Sequence, residues 1–118
     1  MKPPLYVRAD MPNLTLFIAA EKMPPARTRA ALTAQCTQLC IEILRASLAN
    51  VHVVYVCVDE GRGHPVFAEL KYRLEPFRTQ RVMASFMERL DEAIRDRTAL
   101  TARIRCFGYA ASTLHALN

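Results

Sequence analysis

Met11-Pro12-Asn13-Leu14-Thr15-Leu16-Phe17-Ile18, written MPNLTLFI, sets a methionine–proline pair ahead of an extended segment. Side chains alternate across a strand, so Leu14, Leu16 and Ile18 share one face of it. Proline tolerates this position because a residue just ahead of a strand can do without its N–H. Pro12 also carries a chemical question. As a chain terminus it is a secondary amine, able to take up and return a proton near neutral pH once its surroundings lower its pKa. Inside a chain the same nitrogen is a tertiary amide without usable basicity, and ten residues precede Met11.

The pattern continues outward from this strand, which runs to Ala19. Pro24 and Pro25 end it and open a helix, where a missing N–H costs little. From Ala26 to about Leu48, Ala31, Leu32, Cys36, Leu39, Cys40, Ile43 and Ser47 recur at helical spacing. Val51 to Val58 (VHVVYVCV) is dense in β-branched residues and reads as a second strand. Its unbroken hydrophobicity predicts burial on both faces or burial at a subunit interface. GRGH, 61–64, is a turn. A third strand runs from Val66 to about Leu74 and Pro76 breaks it. Arg78 to Arg97 is an amphipathic helix with Val82, Met83, Phe86, Leu90, Ala93 and Ile94 inside, and Arg81, Arg89, Glu92 and Arg95 outside. Ala102 to Tyr109 (ARIRCFGY) is a fourth strand, followed by the ambiguous tail AASTLHALN.

Strand, helix, strand therefore occurs twice. Pro12 and Pro65 each head a unit, and Val51 and Ile104 match at the same interval, which marks an internal duplication over 12–63 and 65–118. The fold class is α+β in the order βαββαβ. That order has two main solutions: a ferredoxin-like sheet, or two parallel βαβ units joined into one four-stranded sheet with two helices on one face. The second leaves a bare sheet face, which oligomerisation must bury if it is apolar.

A length of 118 residues suits one domain, here 11–118 behind a 1–10 extension, and 52% hydrophobic with 23% charged residues marks it as globular. Neither a membrane-spanning run nor a signal-like segment stands out, so a soluble cytoplasmic protein is expected. The four cysteines lack CxxC spacing and read as reduced, small core hydrophobes rather than a disulfide or metal framework. The net charge of +5, mostly arginine, is compatible with small anions or nucleic acid. Against RNA, VFAELKY lacks closely spaced aromatics.

MPNLTLFI, VHVV at 51–54, FRTQRVMASFMERL from Phe77 and the ending ARIRCFGYAASTLHA together resemble the tautomerase superfamily, within it the macrophage migration inhibitory factor type with two fused βαβ units. The resemblance spans residues 11 to about 115. It implies a homotrimer with active sites at subunit boundaries. It also implies keto–enol tautomerisation of 2-oxo or 2-hydroxy-unsaturated acids without metal or organic cofactor, the ligand being a small anionic carboxylate. Pro12 would be the base. Lys22 stands where oxalocrotonate tautomerase relatives place a substrate-binding arginine, keeping the charge and losing the planar fork. Arg73 falls where related decarboxylases carry a carboxylate-binding arginine. Arg103 and Arg105 replace a pocket tyrosine and asparagine of the cytokine-like members, a departure that implies a more anionic ligand or a solvated edge. Tyr109 lines the same pocket or only covers the sheet.

The catalytic expectation divides at the chain start. Translation from Met1 leaves Pro12 an amide, with residues 1–10 placed to lie over the pocket and the protein an inactive binding module. Translation from Met11 followed by methionine removal gives the amine and a tautomerase.

Overall fold

The computed structural model describes residues 11–117, so the 1–10 extension lies outside the described residues. Its strands are β1 (Asn13–Ala19), β2 (His52–Val58), β3 (Val66–Arg73) and β4 (Ala102–Tyr109), and its helices are α1 (Ala26–Glu42) and α2 (Gln80–Thr98). The sheet order is β2-β1-β3-β4. β1 pairs parallel with β2, β3 pairs parallel with β4, and β1 meets β3 antiparallel at the centre. Two parallel βαβ units thus join across one antiparallel seam, and the ferredoxin-like alternative is excluded. The prolines that head the two units both join the sheet through their carbonyls, Pro12 within its own unit and Pro65 across the seam. Pro12 O accepts from His52 N–H at 3.1 Å, and Pro65 O accepts from Ala19 N–H at 3.0 Å.

One face of the sheet carries Leu14, Leu16 and Ile18 of β1 with Val66, Ala68, Leu70 and Tyr72 of β3. Both helices cover it, adding Leu32, Cys36 and Cys40 from α1 and Met83, Phe86, Leu90, Ala93 and Ile94 from α2 to one core. Gly108 of β4 allows close packing there: a Cβ at that position would lie 2.5 Å from Leu74 Cδ2 and 2.9 Å from Tyr72 Cζ.

Helix ends differ from the sequence expectation. α1 stops at Glu42, short of Leu48, because Arg45 takes a left-handed φ of 57° and Ala46 N–H reaches back to Cys40 O at 3.1 Å. The turn still delivers Leu44 and Ala46 into the core while leaving Ser47 exposed, so apolar spacing outran the helix. Arg78, expected inside α2, precedes it. It is buried, its Nε donates to Leu44 O at 3.0 Å and its Nη1 to Arg73 O at 2.8 Å, clasping the end of α1 to the end of β3. Thr79 caps α2 by accepting from Val82 N–H at 3.2 Å, satisfying one orphan donor of the first turn. Ala99, at φ 61°, closes it.

β2 departs as well. As an edge strand it has no fully buried residue within the protomer, so burial on both faces does not hold there. Among the cysteines, Cys36 and Cys40 are buried, Cys106 is half-buried and Cys57 is exposed, so the core role fits three and not Cys57. Burial pushes the Cys36 and Cys40 thiols up to about 12, and Cys106 up to about 11.

Candidate functional site

Alternation that buries one face of each strand sends the other residues to the opposite, helix-free face. The register aligns them in rows. His52, Asn13, Lys71 and Phe107 form one; Val54, Thr15, Glu69 and Arg105 the next; Val56, Phe17, Phe67 and Arg103 the third. Apolar side chains remain open on this face, with Val54 49%, Phe107 43% and Tyr109 38% exposed. Its charge is mainly positive, Glu69 standing near Lys71 at 3.8 Å and Arg105 donating to Ile104 O at 2.8 Å.

Pro12 sits just ahead of β1 with its ring fully buried. Its flanking residues Met11 and Asn13 line a groove of about 590 Å³ on the other side, closed by Thr15, Asn50, His52 and the tail around His115. That volume suits a small ligand. Among the described residues its walls hold no lysine or arginine.

The residues singled out in the sequence do not converge in one protomer. Arg73 lies at the Pro12 end because β3 runs antiparallel to β1, and Tyr109 pairs beside it. Neither lines the groove. Arg73 already holds a carboxylate, with Nε 3.1 Å and Nη2 3.0 Å from Glu75 Oε2. Lys22 follows β1 at the opposite end, about 23 Å along the strand, and is exposed. Arg103 also lies toward that far end, and Arg105 near the middle.

The far end has its own groove, about 510 Å³, between the 59–65 turn and β4. Phe17 and Phe67 stack in its floor, ring centroids 5.8 Å apart and planes at 21°. Arg62, His64, Glu60 and Arg103 stand around it. Sequence reasoning misses this aromatic pair, and it misses Met11, Asn13, Thr15 and His52 as groove walls. The available signal is the complement of the Leu14, Leu16, Ile18 alternation, which puts Asn13, Thr15 and Phe17 together on the other face. Among the described residues no three His, Cys, Asp or Glu side chains are grouped to hold a metal ion, and no helix is long and apolar enough to cross a membrane.

Solved structures match this arrangement closely. N1, a member of the cis-3-chloroacrylic acid dehalogenase family, superposes with a TM-score of 0.75 at 20% identity, covering 89% of this chain and 80% of its own. The fold is that of the tautomerase superfamily. The macrophage migration inhibitory factor-like protein from Entamoeba histolytica matches with a TM-score of 0.70 at 9% identity, over 90% of this chain and 95% of its own. The fused 4-OT Q0, solved as a wild-type symmetric trimer, matches at 0.73 and 16% identity, over 91% and 93%. No protein-family model and no curated protein matches the sequence. With identities this low, these tautomerase-fold chains share a backbone path far more than they share side chains.

Proposed function

We propose that this chain is a homotrimeric tautomerase-fold protein that binds small 2-oxo or 2-hydroxy-unsaturated carboxylic acids, and that it isomerises them only when the chain begins at Pro12. One observation carries the reading: Met11 forms part of the groove wall while the Pro12 ring is fully buried and its carbonyl accepts from His52 N–H. Removing Met11 would leave a secondary amine at the groove edge, rigidly placed for proton transfer at the carbon beside a carbonyl. With Met11 attached, the nitrogen is an amide and the groove binds without catalysis.

The trimer reading draws support from the open apolar side chains of the bare face and from the fused 4-OT chains solved as trimers. It also answers the missing charge. Lys22, Arg103 and Arg105 are exposed and lie away from the groove, so the substrate carboxylate would meet a cation brought by a neighbouring copy.

Ketonisation of phenylpyruvate or 2-hydroxymuconate by full-length and Pro12-start chains, each verified by intact mass, tests the catalytic half. Activity is expected in the Pro12-start chain alone and is lost when that shortened chain carries Pro12→Ala. Turnover by a chain that retains Met11 would overturn the proline mechanism. Solution mass tests the assembly, with three times the 13.4 kDa chain expected.

A further inference from the structure

Among the described residues, the walls of the Pro12 groove hold no lysine, arginine, aspartate or glutamate, but they hold two imidazoles, His52 and His115. Imidazole is the side chain whose charge ordinarily changes near neutral pH. Resting on the reading of this groove as the ligand site, we propose that His52 contacts the ligand there. Its protonated ring is the positive charge that one protomer supplies, so the site takes up a proton as it binds a 2-oxo acid anion.

Strand β2 fixes this imidazole. His52 pairs with Asn13, and its N–H donates to Pro12 O at 3.1 Å. The backbone contact that holds Pro12 therefore also holds His52, one strand spacing of about 5 Å away. Alternation along β2 sends His52 and Val54 to the helix-free face, and both line the groove. A histidine kept for packing would be buried, and one kept for a structural hydrogen bond would show its partner. His52 is exposed, and among the described residues its ring has no hydrogen-bond or ion-pair partner. His115 differs, because it lies in the tail beyond the last strand, in no helix or strand. A side chain on a paired strand is held in place more tightly than one on a tail.

The surroundings leave the charge of His52 to the ligand. From β1, Asn13 and Thr15 share its face, and neither ionises. The 48–50 turn brings Ala49 and Asn50, and the tail brings His115. In the same row of the sheet, Lys71 of β3 is two strand spacings away, about 10 Å, and stands 3.8 Å from Glu69. Arg105 is further off, on β4 and in the next row. No carboxylate among the described residues lines the groove to hold the ring protonated. An anionic ligand supplies that counterion. It favours the charged ring, and by linkage the charged ring favours the ligand. A protonated imidazole donates through both nitrogens, so it can hold the carboxylate of a 2-oxo acid beside the cation brought by a neighbouring copy. A lysine or arginine stays charged throughout the neutral range, so pH separates the two contributions.

The test uses the full-length chain with Met11 attached, in its own oligomeric state, so that its result does not depend on the Pro12 amine. Phenylpyruvate is the probe, and its carboxylate stays ionised between about pH 5.5 and pH 8. Calorimetry is run at both ends of that range, at concentrations where light scattering gives one mass. Affinity should be about tenfold weaker at the upper end, and the heat measured near pH 7 should vary with the buffer's ionisation enthalpy, which reports proton uptake. His52→Gln should bind at both ends with the weaker affinity. His52→Lys, which keeps a fixed charge, should bind at both with the stronger one. His115→Gln should keep the wild-type dependence. Equal wild-type affinity at both ends, or a pH dependence that survives in H52Q, would overturn the inference and leave the groove reading standing. Absence of binding at either end would overturn both.

Discussion

The two faces of the sheet are built from the same strands and have opposite fates. On the helix side, Leu14, Leu16, Ile18, Val66, Ala68 and Leu70 are at most 1% exposed. On the other side, residues one position along the same strands remain partly open and carry Phe17, Phe67, Lys71 and the alternating Arg103 and Arg105. The difference teaches that the fold and the candidate chemistry draw on separate residue sets. Packing constrains the first set, so the second can change without disturbing the core. That separation agrees with a shared backbone path at 9–20% identity.

The comparison breaks most visibly in the core. Phe86→Ala should lower unfolding free energy by about 3–5 kcal/mol, because it removes a fully buried ring whose neighbours belong to both helices and the sheet. Urea denaturation measures this, and a loss below about 1 kcal/mol would mean the helix-covered face is not the principal core.

A smaller effect separates the faces by pH. Cys36 and Cys40 have thiols raised by burial from 9.0 to about 12, so the unfolded chain releases their protons at lower pH than the folded one. Their contribution to stability is present below pH 9 and is lost as pH rises from about 9 toward 12. Stability should fall by about 1–3 kcal/mol between pH 8 and pH 10, and the double variant C36A, C40A should show a shallower fall. An unchanged slope in that variant would exclude the two thiols as the cause. Cys106, Tyr55 and Tyr72, all raised by burial, act with the same sign and account for the slope that remains.

The smallest change in stability belongs to the bare face. Val54→Lys should alter unfolding free energy by less than about 0.5 kcal/mol when the monomer is compared. It should lower the oligomeric mass seen by light scattering, because a lysine there would bury a charge against a second copy. Retention of a trimer by this variant would place the subunit contact elsewhere.

Much of the fold is legible in the sequence because its signals are local. Period-two alternation in β1 and β3, the helical stripe from Val82 to Ile94, and prolines at the head of each unit all act within a few residues. The end of α1 is not legible. Ile43 and Ser47 keep helical spacing while the chain leaves the helix, and the interaction that holds this turn comes from Arg78, 34 positions beyond Leu44. The candidate site is legible only in part. Arg103, Arg105, Arg73, Tyr109 and Lys22 stand out as polar positions, but their distribution over two sheet ends depends on which strands pair and in which direction.

By itself, then, the sequence determined the elements, their duplicated order and which side of each strand enters the core, since these follow from periodicity and from proline's missing donor. Tertiary structure alone decided that β1 and β3 run antiparallel at the centre. That pairing sends the two unit heads to opposite ends, sets Met11 into a groove wall beside Pro12, and gathers Phe17, Phe67, Arg62 and Arg103 at the far end. The physical reason is that strand pairing is a contact between distant segments, and no local pattern encodes its direction.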